Sequence, residues 1–337
     1  MSHLGFACAL ANAHSSVDVI LDTVSDLAWE QYQANLTFAR GYAPRSRPSS
    51  GRPRVLVTGF NRFGEHRRNA SGAIVSRWLD EPEPSSEPAR PGCVDHPERQ
   101  LGVAQRTASL AGVGEVEICA MVLPVVWDLA AVLVLREAEA FAPDLVVMNG
   151  IAGAHQPLWI ELGALNRARR AADASRLLEP HEPTIVAGAA AALPNRASFS
   201  ALAAAARGAI AGRPSLAAIA PGALLAPPRA SNGYLCNATT YAVGHGLSHP
   251  GETFVLLEAS HPRGDDHGVA IRPVPDLSRV PRFFIHWPSA IDEPHLDAAV
   301  EVLKAIVACQ LTTSDAPVGG HEVDADPTAV AIGGETF

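Results

Sequence analysis

The sequence lacks the features that mark several common classes of protein. It has no apolar run near the ~20 residues that a membrane-spanning helix needs. Its first residues, 1–13, contain neither Lys nor Arg and no sustained apolar stretch, so they do not resemble a signal peptide. Only 18% of the residues are charged, and the net charge is −9. This acidic balance argues against nucleic acid or an anionic membrane as a partner.

Cysteine is scarce, and a phosphate-binding loop is missing. The cysteines are widely scattered and form no C-x-x-C pair: Cys8, Cys93, Cys119, Cys236 and Cys309. An odd, scattered set predicts reduced thiols in the cytoplasm rather than a disulfide framework or a zinc site. The segment 149–153 lacks the spaced glycines of a dinucleotide-binding turn. This absence argues against an ordinary Rossmann-like enzyme.

What is present predicts a large α/β body. Hydrophobic residues make up 47% of the 337 residues, enough for a sizeable core. Apolar runs over Arg54–Phe60 and Pro143–Gly150 predict buried strands, and Trp127–Phe141 between them has apolar residues at helical spacing. A strand, a helix and a strand with short connections indicate a parallel sheet. A further strand is expected over Arg282–Pro288, and a closing helix over Pro294–Cys309.

Composition also predicts where the chain divides. Residues 1–53 are expected to be an N-terminal helical extension with a linker, and their helix is predicted over Val17–Trp29. The α/β domain is expected to cover 54–312. A mobile insertion is predicted at about 81–105, because this stretch is rich in Pro, Ser and charge. The Gly-rich, acidic tail, 313–337, is expected to be flexible.

One cysteine lies where a loop is predicted to become a helix. The turn residues 231–233 precede it, and the stretch from Asn237 to about His249 contains few helix breakers. Cys236 would therefore lie beside unpaired N–H groups and the positive end of a helix dipole, which stabilise a thiolate. The alternative is a small buried residue at the start of a helix.

A cysteine nucleophile needs an imidazole to keep it ionised and a carboxylate to orient that imidazole. His286 ends the strand predicted over Arg282–Pro288, and Glu161 ends the apolar run Leu158–Glu161. Both are expected at the C-terminal edge of the sheet, where functional residues of α/β proteins collect. Taken singly, burial statistics favour a core histidine for His286 and a surface carboxylate for Glu161.

Four blocks of sequence point to a known family. They are Leu56-Val57-Thr58-Gly59-Phe60-x-x-Phe63-Gly64 with Asn69-x-Ser71, Gly150-Ile151-Ala152-Gly153 with Ile160-Glu161, Tyr234-Leu235-Cys236-Asn237, and Phe284-Ile285-His286-Trp287-Pro288. Together they resemble the signatures of pyroglutamyl peptidase I, the pyrrolidone-carboxylate cysteine peptidases, in that family's order of Glu, Cys and His. The resemblance covers most of residues 54–310.

The resemblance implies a three-layer α/β sandwich with a twisted, mostly parallel sheet, and neither a metal nor a cofactor. Cys236 would attack the amide carbonyl after an N-terminal pyroglutamyl residue of a peptide, His286 would act as base and then acid, and Glu161 would orient it. The residues that the resemblance assigns to substrate binding are Phe60, Phe63, Asn61, Asn69 and Asn237. Family members often self-associate, so a homo-oligomer is also expected.

The chain departs from the family pattern at positions that bear on the substrate. Arg62 and Ala70 replace prolines of the first signature, and Ala154-His155 replaces a Gly-Arg pair. Leu162 stands where the family has an arginine after the catalytic glutamate, and leucine does not replace a guanidinium. The alternatives are therefore a different acyl group, a modified peptide in a biosynthetic pathway, or a peptide-binding protein without activity.

A second histidine competes for the role of base. His261 also ends an apolar run, and its separation from Cys236 is nearer to the spacing usual in the family. The residues around His286 match the family better and lead into the closing helix, so His286 is favoured. His261 together with Asp265, Asp266 and His267 follows no recognised spacing of metal ligands. The sequence therefore predicts no metal site there.

Overall fold

The computed structural model describes residues 17–63, 68–84, 93–180, 183–257 and 268–313. Its strands are β1 Arg54–Phe60, β2 Gly102–Leu110, β3 Gly114–Leu123, β4 Leu145–Ala152, β5 Leu158–Glu161, β6 Gly163–Leu165, β7 Ala192–Pro194, β8 Ala223–Ala226, β9 Phe254–Leu256, β10 Val269–Ile271 and β11 Arg282–Pro288. Its helices are α1 Val17–Gly41, α2 Ala70–Leu79, α3 Pro97–Gln100, α4 Leu129–Phe141, α5 Phe199–Ala211, α6 Pro214–Ala217, α7 Leu235–Ser248 and α8 Leu296–Thr313.

Seven strands form the central sheet, in the order β2-β3-β1-β4-β11-β5-β8. β1 pairs in parallel with β3 and β4, and β4 pairs in parallel with β11. β2 and β5 run antiparallel to β3 and β11. The mostly parallel sheet of the sequence-based prediction is thereby confirmed. Two short hairpin-like pairs, β6–β7 and β9–β10, lie outside this sheet.

Helices cover both faces of the sheet. One core cluster joins α4 and α7 to the sheet through side chains such as Leu133, Tyr241 and Met148. The other joins α2, α5 and α8 to the opposite face, with Ile74 and Leu303 among its members. β11 is buried at every position, as expected of a parallel strand that is covered on both sides. The predicted α/β architecture with flanking helices is confirmed.

α1 packs against the body of the protein. Tyr32, Leu36 and Ala39 recur at helical spacing and are buried in the same cluster as α4. Beyond the helix, the hydroxyl groups of Tyr42 and Ser46 donate hydrogen bonds to the carboxylate of Glu137 on α4. The segment before β1 is therefore joined to α4 by both apolar and polar contacts.

The composition of the sequence around β2 does not predict a strand. α3 and the start of β2 fall inside the segment 81–105, which composition assigns to an insertion. β2 is the edge strand of the sheet, and its residues Arg106 and Thr107 are exposed. A strand with one neighbour and one solvated face carries polar residues, so it lacks the continuous apolar run that reveals β1 or β4.

The cysteines differ in state. Cys119, Cys236 and Cys309 are free thiols, but Cys93 is disulfide-bonded, with its partner outside the described residues. The prediction of reduced thiols throughout is therefore wrong for Cys93, because scattered spacing does not reveal which cysteines meet in the fold. The cytoplasmic location remains a prediction. Within the described ranges, the helices are too short or too polar to cross a bilayer.

Candidate active site

The candidate site is built around His286, which lies between two neighbouring strands. In the sheet register, His286 is opposite Gly150 of β4 on one side and Trp159 of β5 on the other. A Cβ atom at Gly150 would lie 2.8 Å from the Sγ atom of Cys236. Glycine at this position therefore leaves the space that the sulfur occupies.

Glu161 reaches His286 diagonally across the sheet. It is paired with Phe284, two residues before His286 on β11, so the glutamate and the imidazole are on the same face. His286 Nδ1 donates a hydrogen bond to Glu161 Oε1 at 2.9 Å, and both side chains are buried. This bond places the imidazole proton on Nδ1 and leaves Nε2 for another partner.

Hydrogen bonds from two asparagines reach the backbone oxygen and one carboxylate oxygen of Glu161. Asn195 Nδ2 donates to the backbone oxygen of Glu161 at 2.8 Å, and Asn232 Nδ2 lies 3.5 Å from Oε1. The other carboxylate oxygen, Oε2, is buried and has no hydrogen-bond partner within the described part of the chain. β5 runs antiparallel to β11, so the expectation that Glu161 ends a strand parallel to that of His286 is wrong. A run of four residues does not reveal its direction.

Cys236 lies in the first turn of α7, as the turn residues before it predict. The helix begins at Leu235, and Cys236 is half-buried. Its side chain lies close enough to His286 to raise the pKa of that imidazole. The first N–H groups of a helix have no partner within it, and they carry the positive end of the helix dipole. The fold thus brings Cys236, His286 and Glu161 together from three remote parts of the chain.

Opposing effects determine the pKa of His286. Burial lowers it, but hydrogen bonds to Cys236 and Glu161, and the negative charge of both groups, raise the pKa to about 9. The imidazole in the folded protein therefore holds its proton more tightly than a free imidazole does. A protonated imidazole between a sulfur and a carboxylate stabilises the thiolate form of a cysteine.

Two aromatic rings pack against Tyr234, the residue that precedes α7. The ring of Tyr234 lies 6.0 Å from that of Phe63 and 5.3 Å from that of Trp127, the latter edge-on. Phe63 is half-buried, whereas Phe60 lies within the core at 3% exposure. Of the two phenylalanines predicted to flank a substrate ring, Phe63 is the one in contact with this cluster. Trp127 carries no motif, and sequence reasoning missed it.

Two of the asparagines predicted to bind substrate hold the loop after β1. Asn61 Nδ2 donates to the backbone oxygen of Gln100 at 3.0 Å, and its Oδ1 accepts from the N–H of Arg62 at 2.7 Å. Asn69 caps α2, because its Oδ1 accepts from the N–H of Ser71 at 3.1 Å. These amides organise backbone; a role in substrate binding remains a prediction.

The third asparagine joins α7 to the strand that follows Glu161. Asn237 Oδ1 accepts from the N–H of Leu165 at 2.9 Å, and its Nδ2 donates to the backbone oxygens of Leu165 and Arg167, each at 2.9 Å. The residue after Cys236 thereby fixes the helix start against the segment that leaves Glu161. Its role in substrate binding also remains a prediction.

Two arginines lie beside aromatic residues near the site, but not at the positions where the family pattern has arginine. Leu162, at the expected arginine position, is half-buried, and its N–H donates to Ala226. The guanidinium carbon of Arg169 lies 6.0 Å from the ring centre of Tyr234, and that of Arg229 lies 5.2 Å from the ring centre of Trp159. Both arginines are on loops, and no sequence signal connects them to the site.

The competing base, His261, lies outside the described residues, and so do Asp265, Asp266 and His267 of the stretch considered for a metal. His286 is the histidine whose contacts with Cys236 and Glu161 are described. Side chains that are close enough to share a metal ion occur at the other end of α7, in His245, His249 and Glu252.

Comparisons with known proteins agree on the fold. No sequence-family model matches the chain, and the comparison with curated proteins finds no match. Among solved structures, pyroglutamyl peptidase I from Bacillus amyloliquefaciens aligns with a TM-score of 0.51 at 18% identity, covering 79% of this chain and 100% of that one. A second structure of that enzyme gives a TM-score of 0.51 at 18% identity, with coverages of 78% and 97%. Pyrrolidone carboxyl peptidase from Thermococcus litoralis aligns with a TM-score of 0.49 at 17% identity, covering 77% of this chain and 94% of that one.

The alignments with the two Bacillus amyloliquefaciens structures identify the fold. The chain has the fold of a pyroglutamyl peptidase I, in a form that has diverged far in sequence. The fold that the resemblance implied is therefore confirmed. At this identity the likeness extends to the fold and not to the activity.

Proposed function

We propose that this protein is a cysteine peptidase that cleaves the amide bond after an N-terminal pyroglutamyl or related modified residue of a peptide. The observation that carries the proposal is the convergence of Glu161 and Cys236 on His286, the first through a hydrogen bond and the second through a sulfur beside Gly150, the strand partner of His286. A thiol, an imidazole and a buried carboxylate in that order form the arrangement that activates a cysteine nucleophile. The shared fold supports the same class of reaction.

Acylation would begin with the Cys236 thiolate. The sulfur attacks the amide carbonyl carbon, and the electron pair of the C=O bond moves to oxygen. Backbone N–H groups at the start of α7 would donate to that oxyanion. The tetrahedral intermediate then collapses, the C–N bond breaks, and His286 gives its proton to the departing amine. A thioester between the acyl group and Cys236 remains.

Deacylation would use the same imidazole in its neutral form. His286 takes a proton from water, the hydroxide attacks the thioester carbonyl, and the C–S bond breaks to regenerate the thiolate. Glu161 stabilises the imidazolium in both halves of the reaction and keeps its Nε2 directed away from the carboxylate. No further group is needed to balance protons or electrons.

The substrate is less closely defined than the reaction. The half-buried rings of Phe63 and Tyr234, backed by the buried Trp127, offer flat apolar surface near the nucleophile, which suits a small planar ring such as a lactam. Arg169 and Arg229 add positive charge at the rim. With leucine at position 162, these arginines favour a substrate whose acyl group or peptide carries extra negative charge.

A second candidate function is peptide binding without turnover. It is favoured by one observation: Glu161 Oε2 is buried without a partner in the described structure, and Leu162 supplies no guanidinium next to it. A peptide-binding protein would retain the aromatic cluster and lose the reactivity of the thiol. The two candidates therefore differ in the chemistry of Cys236.

Hydrolysis of the aminomethylcoumarin amide of pyroglutamate by the full chain tests the leading proposal. Turnover is expected, and Cys236→Ala should abolish it. Cys309→Ala is the matched control, because Cys309 is also a free, half-buried thiol but lies on α8. Iodoacetamide labelling of Cys236 that His286→Ala suppresses would support the reaction class for another acyl group, if pyroglutamate is not cleaved. Slow labelling that is indifferent to His286→Ala would overturn it.

A further inference from the structure

Two histidines and a glutamate meet at the C-terminal end of α7, the end opposite Cys236. His245 is in the last turn of the helix, His249 follows it, and Glu252 is in the next turn of chain. One ligand atom of each lies within 4.8 Å of the other two. We propose that these three side chains bind a divalent transition-metal ion of the zinc type, as a structural site remote from the chemistry.

The backbone prepares His249 for such a role. His245 and His249 are four residues apart, so their side chains project from the same side of the helix end. His249 Nδ1 donates a hydrogen bond to the backbone oxygen of His245 at 2.9 Å. The proton is therefore on Nδ1, and the lone pair of Nε2 is free for a ligand. Histidines that bind metal ions are commonly oriented by a backbone carbonyl in this way.

His245 supplies the second, independent observation. Its side chain is only 3% exposed, and its Nε2 is buried without a hydrogen-bond partner among the described residues. The ring is held on three sides: it stacks on His249 at 4.3 Å and on Tyr241 at 6.3 Å, and Phe254 lies edge-on at 4.9 Å. Buried polar atoms in folded proteins almost always have partners. An ion bound by this imidazole would supply one.

The donor set selects the class of ion. Two imidazoles and one carboxylate suit Zn²⁺ or Co²⁺, with a water molecule completing the coordination. Ligand atoms about 2.1 Å from a tetrahedral ion are roughly 3.4 Å apart, so the cluster needs to contract slightly. Glu252 is exposed in a turn, and its side chain is free to make that adjustment. The negative end of the helix dipole also favours a cation at this position.

The ion would act on the fold and not on the reaction. His245 is nine residues beyond Cys236 on the same helix, which corresponds to about 14 Å at the usual helical rise. At that distance the ion touches none of the reacting groups. It would instead tie the end of α7 to the turn that leads into β9.

Metal titration of the full chain tests this site. A Cys236→Ala background, stripped with a chelator, prevents the reactive thiol from binding the ion. Calorimetric titration with Zn²⁺ is expected to give one equivalent, and Zn²⁺ is expected to raise the melting temperature. His249→Ala and Glu252→Gln should each weaken the affinity at least about tenfold. His96→Ala is the matched control, because His96 is an exposed histidine beside Glu98 and outside the cluster.

Co²⁺ provides a spectroscopic measurement at the same site. The parent protein is expected to show visible absorption bands on binding Co²⁺, and His249→Ala should lose them while His96→Ala retains them. The proposal is overturned if the parent chain binds no Zn²⁺ at micromolar concentration. It is equally overturned if His249→Ala and Glu252→Gln bind Zn²⁺ as tightly as the parent, because the ion would then lie elsewhere.

Discussion

Two buried glutamates in this protein have opposite surroundings. Glu137 on α4 is completely buried, and both of its oxygens accept hydrogen bonds: from the hydroxyls of Tyr42 and Ser46, and from the N–H groups of Arg45 and Ser46 at 2.7 and 3.1 Å. Glu161 is almost as buried, but only one of its oxygens has partners among the described residues. A saturated carboxylate joins structure together, whereas an unsaturated one retains capacity for a changing partner.

The same contrast extends to the nearest sulfur atoms. Cys119 lies near Glu137, and burial, opposed by a hydrogen bond from Ser46 and reinforced by the glutamate charge, raises the pKa of its thiol to about 12. Cys236 is instead bonded to an imidazole that Glu161 orients. A carboxylate acting directly on a thiol suppresses its ionisation, and a carboxylate acting through an imidazole supports it.

The largest difference between the glutamates is expected in catalysis. Glu161→Gln should reduce the hydrolysis rate roughly 10⁴-fold, because the imidazole loses both its orientation and the charge that stabilises it. Glu137→Gln is the matched control, and in its folded fraction the rate should stay within about threefold of the parent. Initial rates on the pyroglutamyl amide measure both. Equal losses in the two variants would contradict the assignment of Glu161 as the orienting group.

The two sulfurs should differ by a smaller but still large factor. At neutral pH, iodoacetamide is expected to alkylate Cys236 about 10³-fold faster than Cys119, because only the former has access to its thiolate. Cys309, whose pKa burial also raises, serves as a second slow thiol. Mass spectrometry of proteolytic peptides over time measures each site. Labelling of Cys236, Cys119 and Cys309 at the same rate would contradict the expected difference in reactivity.

Stability should reverse the order of the two glutamates. Glu137→Gln is expected to lower the free energy of unfolding by about 3–4 kcal/mol, because several buried donors lose their acceptor. Glu161→Gln should cost about 1 kcal/mol or less at pH 9.5, where the imidazole of the parent is mostly neutral and the amide oxygen still accepts from His286. Urea denaturation at pH 9.5 compares them. A larger loss for Glu161→Gln would mean that it, too, is chiefly a structural group.

The pH dependence of stability sharpens the contrast further. The pKa of His286 is raised to about 9 in the folded protein, so its stabilising contribution is complete below about pH 6.5 and is lost as pH rises through 9. The expected decrease is up to ~3 kcal/mol. Asp173, whose pKa burial raises to about 7, titrates at the lower end of the same range, so the part of the slope above about pH 8 is the part that reports on His286.

Urea denaturation repeated between pH 6.5 and 9.5 measures that slope. The slope should become shallower in Glu161→Gln, where the imidazolium loses its carboxylate partner but keeps its interaction with Cys236, and it should persist in Glu137→Gln. A slope that is undiminished in Glu161→Gln would assign the titration to another group.

The elements that sequence predicted are those with continuous apolar patterns. β4 and β11 are buried on both faces, so their apolar runs are visible without knowledge of their neighbours, and α4 shows the helical period. β2 and the direction of β5 escaped, because an edge strand and a four-residue strand take their identity from pairing. The local sequence pattern reveals a strand or helix when burial alone determines its residues. It fails when the element depends on pairing with a neighbouring strand.

The site divides in the same way. Cys236, His286 and Glu161 were selected by residue type and resemblance, and the fold brings them together. The roles of Gly150 and Trp127 were missed, since a gap for a sulfur atom and a ring against Tyr234 exist only in three dimensions. The bonds of Asn237 to the Leu165 backbone are equally invisible in one dimension.

The bonds of Glu137 also have a practical consequence for anyone who shortens this protein. A version starting at residue 54 would resemble the smaller enzymes in length, yet it would strip Tyr32 and Leu36 from the core and leave an anionic carboxylate buried without Tyr42 and Ser46. Such a truncation is expected to aggregate on expression. The segment before β1 has become a part that the rest of the molecule can no longer do without.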